Sequence, residues 1–136
     1  RERVQNGESE KGLLDGVANA LPALIQAQTY QQRVKRVGFD WTTMEGVIDK
    51  IVEELEELLD ASDPPSRFDE IGDLLFSIVN LARWLDIDAE SALRETNARF
   101  RERFAHLEQA ARESGQPLDQ MSLEQLDSLW EQAKDG

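Results

Sequence analysis

The sequence has no cysteine and one histidine, His106, in 136 residues. Disulfides, thiolate metal centres and cysteine nucleophiles are thereby excluded, and oxygen donors are the only metal ligands present in number. Positive charge is also scarce: 15 basic residues stand against 28 acidic ones, a net charge of −13. Attraction to a phosphate backbone cannot drive binding, so no nucleic acid and no anionic membrane is an expected partner, and an anionic ligand must arrive with counter-cations. No apolar run approaches the ~20 residues of a membrane span, and the opening RERVQNGESEKG lacks the apolar core of a signal peptide. A cytoplasmic location is the expectation. What the chain does have is apolar side chain, 40% of the total, enough for the core of one domain.

Residues 1–12 are polar, charged and without periodicity, and read as a flexible tail or linker ahead of a domain over 13–136. The first residue is Arg1 rather than Met, as expected of a processed product or of the later part of a longer protein. Pro22 and Gly38 suit the two ends of a first helix. Thr42 and Glu45 have capping-box spacing, and Ile48, Ile51, Val52, Leu55, Leu58 and Leu59 recur as one apolar stripe, predicting a second helix over about 43–61. The sequence SDPPS ends it, because proline cannot continue a helix. A third helix follows from Phe68, Ile71, Leu75, Ile78 and Val79, with an apolar arc wide enough to predict burial on more than one side. Asp88 suits the N-cap of a long fourth helix running to about 113, and Ser122 with Gln125 the start of a short last one. No period-two alternation bounded by turns occurs, so the class is all-α, with four to five helices.

The stretch EELEELLDASDPPSRFDEIGD, residues 53–73, holds nine acidic side chains in 21 positions, and Arg67 is the one basic residue between 51 and 82. At about 100° per residue, Glu54 and Glu57 share a flank of the second helix, with Glu53 beside them. Glu70, Asp73, Ser77, Asn80 and Trp84 share a strip on the third. A short connection makes the two helices antiparallel neighbours. If the strips meet, four carboxylates converge, and two unit charges ~4 Å apart repel by ~4 kcal/mol at an effective dielectric near 20. A divalent cation reverses that sign, and hard oxygen donors favour Mg²⁺, or Mn²⁺ in its place, over Zn²⁺ or copper. A di-iron bundle would want Glu-x-x-His pairs, and Arg103 stands three positions before the lone His106. The alternative is a solvated acidic face on a non-catalytic helical interaction or dimerisation module.

The motif K-x-x-E-E-x-x-E (Lys50, Glu53, Glu54, Glu57), followed by E-x-G-D (Glu70, Gly72, Asp73) and LLFSIVNLAR, resembles the MazG family of nucleoside triphosphate pyrophosphohydrolases. LPALIQAQTYQQRVKRVGFDW, NARFRERF and LEQLDSLWEQAK are similar to other helices of that family, so the resemblance covers about residues 13–134. It implies a MazG-like helical bundle that associates as a homodimer or higher homo-oligomer. It also implies Mg²⁺-dependent hydrolysis of a nucleoside triphosphate substrate between the α and β phosphates, in nucleotide-pool house-cleaning. Some members carry two copies of the domain, and the linker-like start is similar to the junction before a second copy. Carried over by position, Glu54, Glu57, Glu70 and Asp73 match the metal ligands, and Glu53 matches an acid suited to orienting or deprotonating the attacking water. Arg99 and Arg103 match basic positions on the triphosphate, the first being lysine in relatives. Asn97 is a polar position beside them, and Trp130 matches an aromatic near the nucleobase.

Overall fold

The computed structural model describes residues 12–135, so the expected tail lies almost wholly outside the described residues. Among these residues there are five α-helices, one 3-10 turn and no strand. Helix α1 (Ala23–Lys35) begins after the extended Pro22 and carries Arg33 and Lys35 in its last turn, where positive charge complements the helix dipole. It stops because Gly38 takes φ +86°, a left-handed conformation, and the amides of Gly38 and Phe39 fold back on the carbonyls of Lys35 (2.9 Å) and Val34 (3.1 Å).

Helix α2 (Met44–Asp60) is capped by Thr43, one residue later than the predicted Thr42; Thr43 is extended and its Oγ1 accepts from the Gly46 amide at 3.1 Å. Glu45 still sits in the first turn. Helix α3 (Pro64–Trp84) starts at the two prolines that end α2. They occupy its first turn, where the missing N–H has no intrahelical partner to lose, and Asp63 caps the helix by accepting from the Ser66 amide at 2.9 Å. Helix α3 packs against both α2 and α1.

The turn into helix α4 (Ala89–Ser114) contains Asp86 at φ 58°. It is held by the buried amide of Gln28 on α1, which donates to the Ile87 carbonyl and accepts from the Ala89 amide, both at 2.9 Å. After a 3-10 turn at Leu118–Gln120, helix α5 (Leu123–Asp135) opens on the expected reciprocal box. The Ser122 amide donates to Gln125 Oε1 (2.8 Å) and the Gln125 amide to Ser122 Oγ (3.1 Å).

The chain divides into two compact units, one up to Glu90 and one from Ser91 onward. In the first, the buried side chains are Val47 and Val79 together with Gln28, Gln31, Glu54 and Ser77. In the second they are Leu107, Ala111 and Ala133. The apolar stripe of α2 therefore does not form the core of this chain: Ile48, Val52, Leu55 and Leu59 are exposed, and the face turned inward carries Val47 and Glu54. The wide arc of α3 is likewise uncovered at Ile71, Leu75 and Ile78, with Phe68 81% exposed. Among the described residues α3 packs against α2 and α1 and is buried at Ser77 and Val79, about 200° apart on the helix, while these other apolar positions stay exposed.

Candidate active site

The pairing of α2 with α3 brings the acids together as the spacing predicts. Carboxylate oxygens of Glu54, Glu70 and Asp73 lie within 4.8 Å of one another, and so do those of Glu53, Glu54 and Glu57. Glu54 joins the two groups. It is 3% exposed, and although its Oε1 accepts from Lys50 Nζ at 2.8 Å, its Oε2 is buried without a hydrogen-bond partner. Glu70 Oε2 is buried and unpartnered in the same way. Buried polar atoms without partners are costly and rare, so two carboxylate oxygens left so beside each other mark a place shaped for a cation.

The titration of Glu70 reports the same crowding. Desolvation, then hydrogen bonds to Glu57 and Glu54 that only its protonated form can make and the negative charge of both, push its pKa from an ordinary 4.5 up to about 7. Among the described residues Lys50 is the cation paired with the cluster. Its Nζ also donates to Glu53 Oε2 at 2.7 Å, and these two contacts hold it protonated well above the usual lysine range. The donor set is all oxygen, and octahedral Mg²⁺ with bonds near 2.0–2.1 Å needs neighbouring ligand oxygens roughly 3–4 Å apart. The oxygens of each group, within 4.8 Å of one another, lie close to that spacing, and the donor chemistry fits the ion.

The other expected site residues belong to the second unit. Asn97 and Arg99 are exposed on α4, where Arg99 Nη2 donates to Thr96 Oγ1 at 3.1 Å; Arg103 is one turn further along and half-buried. The Trp130 ring stands 5.2 Å from that of Phe100, tilted by 48°, and Phe100 in turn stacks on Phe104 at 6.3 Å.

The profile of the MazG nucleotide pyrophosphohydrolase domain matches residues 42–108. The chain belongs to the MazG family. It is 44% identical over 132 residues to the nucleoside triphosphate pyrophosphohydrolase/pyrophosphatase MazG of Thermotoga maritima, covering 97% of this chain and 52% of that protein. To the nucleoside triphosphate pyrophosphohydrolase of Escherichia coli K12 it is 39% identical over 138 residues, covering 98% and 52%. To the uncharacterized protein YabN of Bacillus subtilis it is 41% identical over 137 residues, covering 98% and 28%. The chain thus spans about half the length of the first two relatives. The MazG match takes in every acid of the cluster together with Asn97, Arg99 and Arg103, and leaves Trp130 outside.

Two features of this MazG domain were missed from the sequence. Lys50 stands out in the sequence only through its motif, although its spacing to Glu53 and Glu54 already allows the ion pairs. Asp40 and Arg83, 43 positions apart, form a part-buried pair at 2.6 Å, and Asp40 also accepts from Trp84 Nε1 at 3.1 Å. Burial opposes ionisation of Asp40, but hydrogen bonds from Arg83, Trp84 and the Trp41 amide, with the charge of Arg83, hold its pKa below the usual value. Nothing local in the sequence signals a contact of that separation.

Proposed function

We propose that this domain hydrolyses nucleoside triphosphates between the α and β phosphates, releasing nucleoside monophosphate and pyrophosphate. The observation that carries the proposal is the buried, half-partnered carboxylate of Glu54 meeting Glu70 and Asp73 from the next helix. Glu54, Glu57, Glu70 and Asp73 would hold Mg²⁺, and Mn²⁺ suits the same donors. Bound there, the cation supplies neutralisation of phosphate charge and a more acidic water.

Glu53 is more than half exposed, within 4.8 Å of Glu54 and Glu57, and its charge is balanced by Lys50. It would orient the attacking water and take its proton. Arg99 and Arg103 would bind the triphosphate, each with a planar fork that matches phosphate oxygens, and Asn97 would order the same end; these assignments rest on the family resemblance of α4. Trp130, by the same resemblance, offers a stacking face for the base. Apart from that proton transfer, positioning and charge neutralisation are then most of the catalytic task, as suits phosphoryl transfer.

The working unit would be residues 13–136 as a homodimer or higher oligomer, since α2 and α3 leave apolar rows uncovered. By the family resemblance, the role proposed for this chemistry is the removal of unwanted triphosphates from the free nucleotides of the cytoplasm. Incubation with mixed triphosphates and Mg²⁺ tests the proposal: pyrophosphate is the expected product. Orthophosphate release, or no release with no Mg²⁺-dependent thermal shift, would overturn it in favour of another phosphatase chemistry or of an acidic interaction module.

A further inference from the structure

A cavity of about 650 Å³ with a mostly apolar lining is walled by α1, the loop after it, α2 and α3. Lys50 belongs to that lining while its ammonium group holds Glu53 and Glu54, so the cavity adjoins the carboxylate cluster. One further piece of wall comes from outside the helices. It is Leu14, on the turn at 13–16 that precedes α1.

This turn is closed on itself and lightly fastened to the rest. The Asp15 amide donates to the Gly12 carbonyl at 3.1 Å and the Gly12 amide to Asp15 Oδ2 at 2.7 Å, so residues 12–15 hold together as one piece. Among the described residues, one guanidinium ties that piece to α1: Arg33 Nη1 donates to the carbonyls of Asp15 (2.7 Å) and Leu13 (3.3 Å). Both bonds are exposed to water. The next hydrogen bonds to α1 come from Gln26, whose Nε2 donates to the Asn19 and Leu21 carbonyls at 2.9 and 2.8 Å. Between these two fastenings stands Gly16, at φ +89° and with nothing within 4 Å of the place a Cβ would take. It has both the backbone freedom and the room of a hinge. Leu13 and Leu14 remain 40% and 39% exposed, so apolar contact secures the turn only in part. A segment held by few, solvent-reached bonds opens at low cost.

We infer that residues 12–16 form a strap over this cavity, with Arg33 as clasp and Gly16 as hinge, which lifts to admit a nucleoside triphosphate and closes with Leu14 against it. A ligand in the cavity touches Leu14 only when the strap is down, and that difference in contact is what shifts the strap toward closure. The inference rests on the proposed hydrolase reading for its ligand and adds to it a moving wall. Arg33 is then a positioning residue: it holds the wall in place without touching substrate.

The absence of cysteine makes position 14 open to a direct test, since Leu14→Cys introduces a single thiol. Its rate of reaction with an aromatic disulfide reagent reads how often the strap is up. Adding Arg33→Ala should raise that rate in the ligand-free protein by about threefold or more, the scale of losing an exposed hydrogen bond from a charged donor. Mg²⁺ with α,β-methylene-ATP, which resists cleavage between those phosphates, should slow it. With Leu14 restored, Arg33→Ala and Gly16→Ala loosen the strap by independent routes, one removing the clasp and the other straining the hinge. Each should raise KM for ATP by about threefold or more and leave kcat within about twofold of the wild type or above it, while Arg33→Lys, which keeps a donor, falls between. Equal ligand-free thiol rates with and without Arg33, a thiol indifferent to the analogue in a protein that turns over ATP, or a lower melting temperature with KM unmoved by both substitutions would overturn the strap. If no triphosphate yields pyrophosphate, the hydrolase reading falls on that result, and the moving wall is judged by the ligand-free thiol rates, which need no substrate.

Discussion

Glu70 ties the chemistry of the site to the stability of the fold. Its carboxyl titrates near 4.5 ordinarily and about 7 in the folded, metal-free chain. Between those values the folded form keeps a proton that the unfolded chain has released, so stability must fall as pH rises through the window. At the proposed site Mg²⁺ would compete with the same proton, and its affinity should rise over the same range. Thermal melts at pH 5 and pH 8 without metal should give the lower midpoint at pH 8. Titration with Mg²⁺ at pH 6 and pH 8 should show tighter binding at pH 8. Glu70→Gln removes one charge from the crowd: its metal-free melting temperature at pH 8 should exceed that of the wild type, while the Mg²⁺-induced rise and more than about 99% of turnover disappear, since even outer-shell partners of a metal cost 10–100-fold. A variant that keeps its activity would remove Glu70 from the ligand set.

At the scale of elements, the sequence showed more than it hid. The five helices were legible from i, i+3, i+4 spacing and from the breaks at Gly38 and the paired prolines, because those signals act within one or two turns. The cap of α2 was misplaced by one residue because Thr42 and Thr43 are chemically equivalent in sequence; only the extended backbone at Thr43 and its bond to the Gly46 amide separate them. Thr43→Ala should therefore cost about 1 kcal/mol of unfolding free energy and Thr42→Ala close to nothing, measured by urea denaturation. The acid cluster was legible for a related reason: two short helical strips joined by a short connection leave few ways to meet. The cavity beside it was not, since it depends on Asp40 reaching Arg83 and on Gln31 reaching the Phe76 carbonyl at 3.0 Å, contacts 43 and 45 positions apart.

For the whole molecule, the most informative mismatch is between apolar pattern and burial. The periodicity of α2 correctly located an amphipathic helix, yet its apolar stripe is exposed at Leu55 and Val52 while an acid is buried at Glu54. A pattern states which residues leave water, and not which surface receives them. In the proposed association a second copy of the chain would supply such a surface, so Leu55→Lys should shift sedimentation equilibrium toward monomer, and an unchanged mass would count against this stripe as the interface. The excess of negative charge bears on the same surface, because self-repulsion opposes assembly and salt relieves it. Lys50 softens that repulsion where it is greatest. With a fixed ammonium already gripping two of the carboxylates, a sample stripped by a chelator should keep its architecture at neutral pH and recover full turnover on simple re-addition of magnesium, with no refolding step.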